Sequence, residues 1–178
     1  MDAIRDRLPD YARDLRLNLS TVLTPQGAPG LNESQLWMVA FASAIASRNA
    51  DLARSIEAEA VARLTPVEVE AARSAAAIMG MNNVYYRFLH LVEDEEYAKL
   101  PARLRMNVIG SPGISQSDFE LVSLAVSAVN GCGKCVTAHE RVLRQHDVTR
   151  EAVQSAVRIA SVIHAVAGVL DYEATRAA

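Results

Sequence analysis

Apolar residues recur along most of the chain at helical spacing, and no alternating pattern predicts a strand. Tyr11, Leu15 and Leu19 form a stripe at every fourth position, which predicts a first helix that ends before the loop at 25–30. The segment 36–46 is almost wholly apolar, so we expect a buried helix there. The pattern as a whole predicts an all-α fold.

Capping signals mark where the later helices begin. The run 65–68, Thr-Pro-Val-Glu, combines a capping box with proline at the first helical position. Ser115 caps a predicted helix that runs to about residue 129, and the Asn-Gly pair at 130–131 turns the chain into the next helix. A second loop is expected at 109–113, and Thr149 can cap a last long helix.

The chain also resembles itself when it is shifted by 84 residues. Caps and core positions then coincide, for example Thr65 with Thr149. Such self-similarity suggests a duplicated helical unit. We therefore expect a single domain over 1–178, made of two similar helical halves at about 1–108 and 109–178.

The two halves differ in their chemical groups under this alignment. Arg48 lies opposite Cys132, Asp51 opposite Cys135, Ser55 opposite His139, and Leu36 opposite Glu120. Glu120 opens an otherwise apolar helix, where a carboxylate is partly desolvated and needs a partner. We expect the second half to be the catalytic one.

Composition and charge narrow the classes of function. The 178 residues are 51% apolar and 22% charged, which is ordinary for a soluble globular domain. A net charge of -3 without Lys/Arg clusters argues against a nucleic-acid surface. The N-terminus alternates charges, and no apolar run reaches about 18 residues. We therefore expect a cytoplasmic protein with no nucleic-acid partner and no membrane association.

The only two cysteines of the chain lie in the run Cys132-Gly-Lys-Cys135-Val-Thr-Ala-His139. At about 100° per residue, the two thiols and the imidazole fall within an arc of about 60° on one helix face. In a reducing compartment, a lone Cys-x-x-Cys is more typical of catalysis or metal binding than of a structural disulfide. The spacing therefore favours a redox pair.

A thiol attacks peroxide as the thiolate, so something must take its proton. His139, one turn after Cys135, can act as the base, and Glu120 can orient the imidazole. Lys134 adds a nearby positive charge, and the start of a helix favours an anion. The nearby base and the helix start favour Cys135 as the sulfur that is oxidised to a sulfenic acid and then forms a disulfide with Cys132. Thioredoxin-like sites, in contrast, use their first cysteine as the nucleophile. We expect Cys132 to be the more exposed sulfur and to meet the reductant.

Glu120, eleven intervening residues and then Cys132-x-x-Cys135-x-x-x-His139 together resemble the alkyl hydroperoxidase D (AhpD) family of the carboxymuconolactone decarboxylase-like superfamily. The two-repeat, all-helical organisation is similar to that family as well. The resemblance implies an antioxidant enzyme that reduces organic hydroperoxides and regenerates the peroxiredoxin AhpC. It also implies electrons from the dihydrolipoyl group of a lipoylated acyltransferase, no bound cofactor or metal, and a homotrimer.

The resemblance further implies a role for each site residue. Glu120 and His139 form the proton relay, Cys135 carries the sulfenic acid, and Cys132 is the proton donor and disulfide partner. Family members can carry histidine immediately before the second cysteine, where this chain has Lys134. Lysine keeps a positive charge but cannot shuttle protons near neutral pH. Lys134 is therefore an auxiliary residue at most.

Two other classes of function fit some of the same residues. The two thiols, the imidazole and the carboxylate could bind zinc in a non-enzymatic zinc- or redox-dependent binding protein, although structural zinc sites usually add a second Cys-x-x-Cys element. The second alternative class is a decarboxylase-like activity of the wider superfamily, although decarboxylation needs no redox dithiol. Stoichiometric zinc in reduced protein, without peroxide turnover, would favour the first of these.

Overall fold

All regular elements in the computed structural model, which describes residues 1–176, are helical. In chain order the helices are α1 (Asp2–Arg5), α2 (Arg13–Val22), α3 (Glu33–Ala46), α4 (Ala50–Val61), α5 (Pro66–Leu91), α6 (Glu95–Lys99), α7 (Asn107–Gly110), α8 (Gln116–Val129), α9 (Gly133–Gln145) and α10 (Arg150–Arg176). A 3₁₀ turn at Asp10–Ala12 precedes α2. The predicted all-α fold class is confirmed.

The predicted capping signals start the helices. Thr65 and Glu68 exchange hydrogen bonds between side chain and backbone in a complete capping box at the start of α5. Ser115 accepts the backbone N–H three residues on at the start of α8, and Thr149 does the same before α10. These bonds satisfy backbone donors that a helix N-terminus otherwise leaves free.

Two local predictions differ from the structure. Tyr11 lies in the 3₁₀ turn rather than on the stripe of α2, where its exposed hydroxyl donates to Glu173 at 2.8 Å. The second loop begins only after α7, because Val108 and Ile109 pack against the core and hold one helical turn. Both differences arise from contacts with residues that are distant in sequence.

Two helices that are apolar on all sides lie at the centre of the fold. α3 and α8 contact each other, and each also contacts α5 and α10. Their buried runs are continuous over 36–44 and 119–127, as expected for helices surrounded by others. α4 covers α3, α2 covers α10, and α9 lies against α8 and α5. This last contact brings the cysteine helix next to the middle of α5.

α10 is, within residues 1–176, the one helix with the length and composition to cross a membrane. Its apolar face packs against α2, α3 and α8. Core helices of other proteins pass the same test of length and composition, so this finding alone is weak evidence for a membrane span.

The helices α3–α5 and α8–α10 repeat one order of lengths. α3 and α8 have 14 residues each, α4 and α9 have 12 and 13, and α5 and α10 have 26 and 27. α9 begins 83 residues after α4, whereas α10 begins 84 residues after α5, because α9 is one residue longer than α4. The 84-residue alignment is therefore one residue out of register over the first two helices. The corrected pairs are Trp37 with Glu120, Asn49 with Cys132, Leu52 with Cys135, and Ile56 with His139.

Candidate active site

The two cysteines form a disulfide at the N-terminus of α9. Cys132 is the N-cap residue, and its sulfur accepts a hydrogen bond from the backbone N–H of Cys135 at 3.3 Å. Gly131, immediately before, has a φ of 68°, which glycine adopts without the steric penalty of other residues. The Asn-Gly turn and the Cys-x-x-Cys spacing thus bring both sulfurs to one helix end, as predicted.

Side chains of α5 hold the turn that precedes Cys132. Arg87 donates to the carbonyl oxygen of Asn130 at 2.6 Å, and the side-chain amide of Asn130 donates to Asn83 Oδ1 at 2.9 Å. Asn83 in turn donates to Ser127 Oγ at 2.9 Å. Sequence reasoning missed Asn83 and Arg87, because no local spacing marks a contact between helices so far apart in the chain.

Glu120 and His139 form a buried pair. Glu120 Oε2 lies 2.6 Å from His139 Nδ1, and both side chains are largely buried. Gln116 donates to Glu120 Oε1 at 2.9 Å. Sequence reasoning missed Gln116, although its position one turn before Glu120 was a signal that could have found it.

The partners of Glu120 keep its carboxyl group ionised. Burial alone would raise the pKa of Glu120, but the hydrogen bond and electrostatic interaction with His139 and the hydrogen bond from Gln116 together hold that pKa below its usual value. An ionised carboxylate can only accept hydrogen bonds, so Nδ1 of His139 carries the hydrogen. The other ring nitrogen, Nε2, is then the one able to accept a proton.

One pocket of about 260 Å³ joins the sulfur to the imidazole. Cys135, His139 and Lys134 line it, whereas Glu120 holds the imidazole without lining the pocket. The rest of the lining is mostly apolar and consists of Met79, Asn82, Tyr86, Met106, Ile109 and Ala138. Lys134 is exposed, so water screens its charge. The pocket can hold an apolar molecule with one end beside Cys135.

The expected order of cysteine exposure is wrong. Cys132 is 0% exposed and Cys135 is 6% exposed. The backbone N–H of Cys132 donates to the carbonyl oxygen of Ser127 at 3.1 Å, so the turn folds this residue back onto α8. Cys135, three residues into the helix end, lines the pocket instead.

The disulfide also bears on the zinc alternative. Zinc binds cysteine as the thiolate, which neither sulfur offers while the two are joined. Within residues 1–176 no group of three or more His, Cys, Asp or Glu side chains is arranged to hold a metal ion. Zinc binding would require the reduced pair.

Comparison with known proteins identifies the family. Residues 95–178 match the profile of the carboxymuconolactone decarboxylase family. A Rhodospirillum centenum protein named alkyl hydroperoxide reductase AhpD is 56% identical over 98% of this chain and 92% of its own length. Proteins of the same name from Gluconacetobacter diazotrophicus and Streptomyces coelicolor are 56% and 52% identical, over 96% and 100% of this chain and 92% and 98% of their own lengths. The chain belongs to the AhpD family.

Membership in the AhpD family confirms the predicted resemblance and the prediction of a peroxidase-type oxidoreductase. In this chain the disulfide, the Glu120–His139 pair and the apolar pocket lie together at the junction of α5, α8 and α9.

Proposed function

We propose that this AhpD-family chain reduces organic hydroperoxides with the dithiol of Cys132 and Cys135. The observation that supports this most is the shared pocket. A disulfide sulfur and a carboxylate-bound imidazole line one mostly apolar cavity. Such a cavity suits the alkyl group of a hydroperoxide, and the sulfur beside it suits the peroxide end.

The proton relay is proposed to run from Cys135 to His139. Nε2 of His139 takes the thiol proton, and the ionised Glu120 stabilises the imidazolium that results. Cys135 lies in the first turn of α9, where free backbone N–H groups favour the thiolate. The Glu120 carboxylate therefore acts through the imidazole and not on the substrate.

The proposed reaction proceeds in two steps that balance. The Cys135 thiolate attacks the terminal oxygen of the hydroperoxide, an S–O bond forms, the O–O bond breaks, and the alkoxide leaves as the alcohol after taking a proton. Cys132 then attacks the sulfenic sulfur of Cys135, an S–S bond forms, and hydroxide leaves as water. The disulfide in this structure corresponds to the product of the second step.

We propose that the dihydrolipoyl group of a lipoylated acyltransferase returns the disulfide to the dithiol, and is itself oxidised to the cyclic disulfide. In the same way, the dithiol of this chain would reduce the oxidised peroxiredoxin AhpC. The family resemblance supports both partners. Thiol–disulfide exchange needs no bound cofactor, only access of a second thiol to the sulfurs.

The proposed working form is a cytoplasmic homotrimer, with about 109–178 as the catalytic half and about 1–108 as the scaffold half. Large apolar side chains remain exposed along α5 and α6, which supports an assembly that covers them. They are Val84, Phe88, Leu91, Tyr97 and Leu100. Sedimentation equilibrium should give three times the chain mass of 19.3 kDa, and a monomer mass would contradict the trimer.

Thiol counting tests the proposed reaction. Fully reduced protein is treated with one equivalent of tert-butyl hydroperoxide and then with dihydrolipoamide, and free thiols are counted at each stage. We expect two thiols to disappear with the peroxide and to return with the dithiol. Two thiols that survive the peroxide would contradict the peroxidase function, and zinc analysis of the reduced protein would then separate the binding-protein alternative.

A further inference from the structure

The pocket beside Cys135 contains a buried amide that the proposed reaction does not use. Asn82 of α5 is 4% exposed and lines this pocket. Its oxygen Oδ1 is buried and has no hydrogen-bond partner within residues 1–176. The next residue, Asn83, is also buried, but its side chain both donates and accepts a hydrogen bond. α5 therefore presents two adjacent buried asparagines, of which one lacks a partner.

A buried oxygen without a partner destabilises a fold, and such groups are rare in native proteins. An apolar residue would suit the surroundings of Asn82 better, since Met79 and Ile109 line the same pocket. A ligand that enters the pocket and offers a hydrogen would satisfy Oδ1. The position of Asn82 therefore points to a hydrogen-bond donor among the molecules that the pocket accepts.

The other polar side chains of the pocket offer no amide oxygen, and each has a different partner or role. His139 is bound to Glu120 through Nδ1 and is the proposed base. Lys134 has only donors, and the hydroxyl of Tyr86 is directed to Met106 Sδ at 3.8 Å. Asn82 is the buried neutral carbonyl among the side chains of the lining.

We infer that Asn82 binds the peroxide group of the substrate, with Oδ1 accepting a hydrogen bond from the terminal O–H. This inference rests on the proposed peroxidase function. The terminal oxygen of a hydroperoxide carries the hydrogen and is also the atom that Cys135 attacks. One hydrogen bond therefore holds the reacting oxygen in the pocket that Cys135 lines, while the alkyl group lies against the apolar side chains of that pocket.

This arrangement makes Asn82 a determinant of substrate class. A hydroperoxide offers the O–H that Oδ1 needs, whereas a dialkyl peroxide of the same size has none and would leave the amide oxygen buried and unpaired. A site that hydrogen-bonds one group of its substrate discriminates against analogues that lack it. Asn82 should therefore select for the hydroperoxide group, and the apolar wall should tolerate different alkyl groups.

The test is Asn82→Leu, with Ser43→Ala as a matched control, because Ser43 on α3 also has a buried oxygen without a partner among residues 1–176 but does not line this pocket. Thiol loss is followed against the concentration of cumene hydroperoxide. We expect KM to rise by several-fold to about tenfold in Asn82→Leu, as one hydrogen bond predicts, with a smaller change in kcat. The melting temperature should be unchanged or higher, because an unpaired buried oxygen is removed. Ser43→Ala should leave KM within about twofold of the wild type, because Ser43 lies outside the pocket.

Two further measurements separate the possible failures. Reduction of the disulfide by dihydrolipoamide involves no peroxide and should be equal in both variants and the wild type. The pH dependence of Cys135 alkylation by iodoacetamide should also be unchanged. A shift of this pH dependence in Asn82→Leu would overturn the inference, because it would show that the amide acts on the Cys135 thiol and not on the substrate. An unchanged KM would overturn it as well, whereas no thiol loss in the wild type would instead overturn the peroxidase function. If Asn82→Leu does not fold, Asn82→Ala is measured in the same way.

Discussion

Two turns of the chain have nearly the same backbone conformation, but they are followed by helices with different chemical groups. The residues that end the preceding helices, Ser47 and Asn130, have φ angles of -79° and -80°. The next residues, Arg48 and Gly131, have φ angles of 66° and 68°. The N-cap residues of the following helices, Asn49 and Cys132, have φ angles of -87° and -94°. In the first turn, the side-chain oxygen of Asn49 caps α4, and in the second the sulfur of Cys132 caps α9. The same backbone thus accepts either a good capping oxygen or a reactive sulfur.

The helices after the two turns differ in the same way. The corresponding buried pairs are Trp37 and Glu120, Leu52 and Cys135, and Ile56 and His139. The first half fills these positions with large apolar side chains, which stabilise the core by burial. The second half places a hydrogen-bonded carboxylate and imidazole and a redox-active sulfur there. Helix packing therefore sets how deeply a position is buried, and the residue type at that position determines whether it forms part of the core or of the candidate site.

The cysteines should show the largest effect, because the first half has no equivalent chemistry. Cys135→Ser should abolish peroxide reduction, since the proposed nucleophile is removed. Cys132→Ser should still react once and leave a sulfenic acid on Cys135, which dimedone traps and mass spectrometry locates. Asn49→Ser, at the corresponding position of the first half, should react as the wild type does. Dimedone on Cys132 in Cys135→Ser would reverse the two roles.

A double replacement should make two site positions of the second half apolar, as the corresponding positions of the first half are. Glu120→Leu with His139→Ile removes the relay, so the peroxide reaction should slow by about 10²- to 10⁴-fold. Stability in urea should be retained or should rise by about 1 to 4 kcal/mol, because apolar residues often replace a buried carboxylate and its partner favourably. His139→Ile alone should be less stable than the double variant, since it leaves a buried carboxylate without its partner. A wild-type rate in the double variant would exclude the relay.

The buried carboxylate should also make stability depend on pH. The pKa of Glu120 is lower in the folded chain than in the unfolded chain, so its contribution is complete above the unfolded value of about 4.3 and is lost as the pH falls through the folded value. The difference in melting temperature between wild type and Glu120→Gln should therefore shrink in that acidic range. A difference that stays constant from neutral pH to acid would contradict the ionised pair.

The smallest effects are expected at the two left-handed turn residues. Arg48→Gly should be more stable in urea than Arg48→Ala by about 1 kcal/mol, because glycine adopts a positive φ without a steric penalty. Gly131→Ala should lose a similar amount, although a methyl group there would meet only Arg87 at 4.0 Å. Gly131→Ala should also slow the peroxide reaction, whereas the Arg48 variants should not. Equal rates in all three would show that the turn does not position Cys132.

Local interactions made much of the fold predictable. The capping box at Thr65 and the cap at Ser115 join residues three positions apart, so the sequence contains both partners. The disulfide pair is likewise within one helical turn, and the need of Glu120 for a partner follows from its apolar neighbours. The register of the repeat was one residue wrong because the extra residue of α9 changes no apolar pattern.

By itself, the sequence determined the all-helical fold, the starts of α5, α8 and α10, the residues of the Cys–His face and the family resemblance, since these depend on spacings of a few residues. The tertiary structure alone decided the burial of Cys132, the bonds from Asn83 and Arg87 to the turn, and the pocket that contains Asn82. The physical reason is that α5 precedes α9 by some fifty residues, and only packing of the two helices against α8 brings their side chains together.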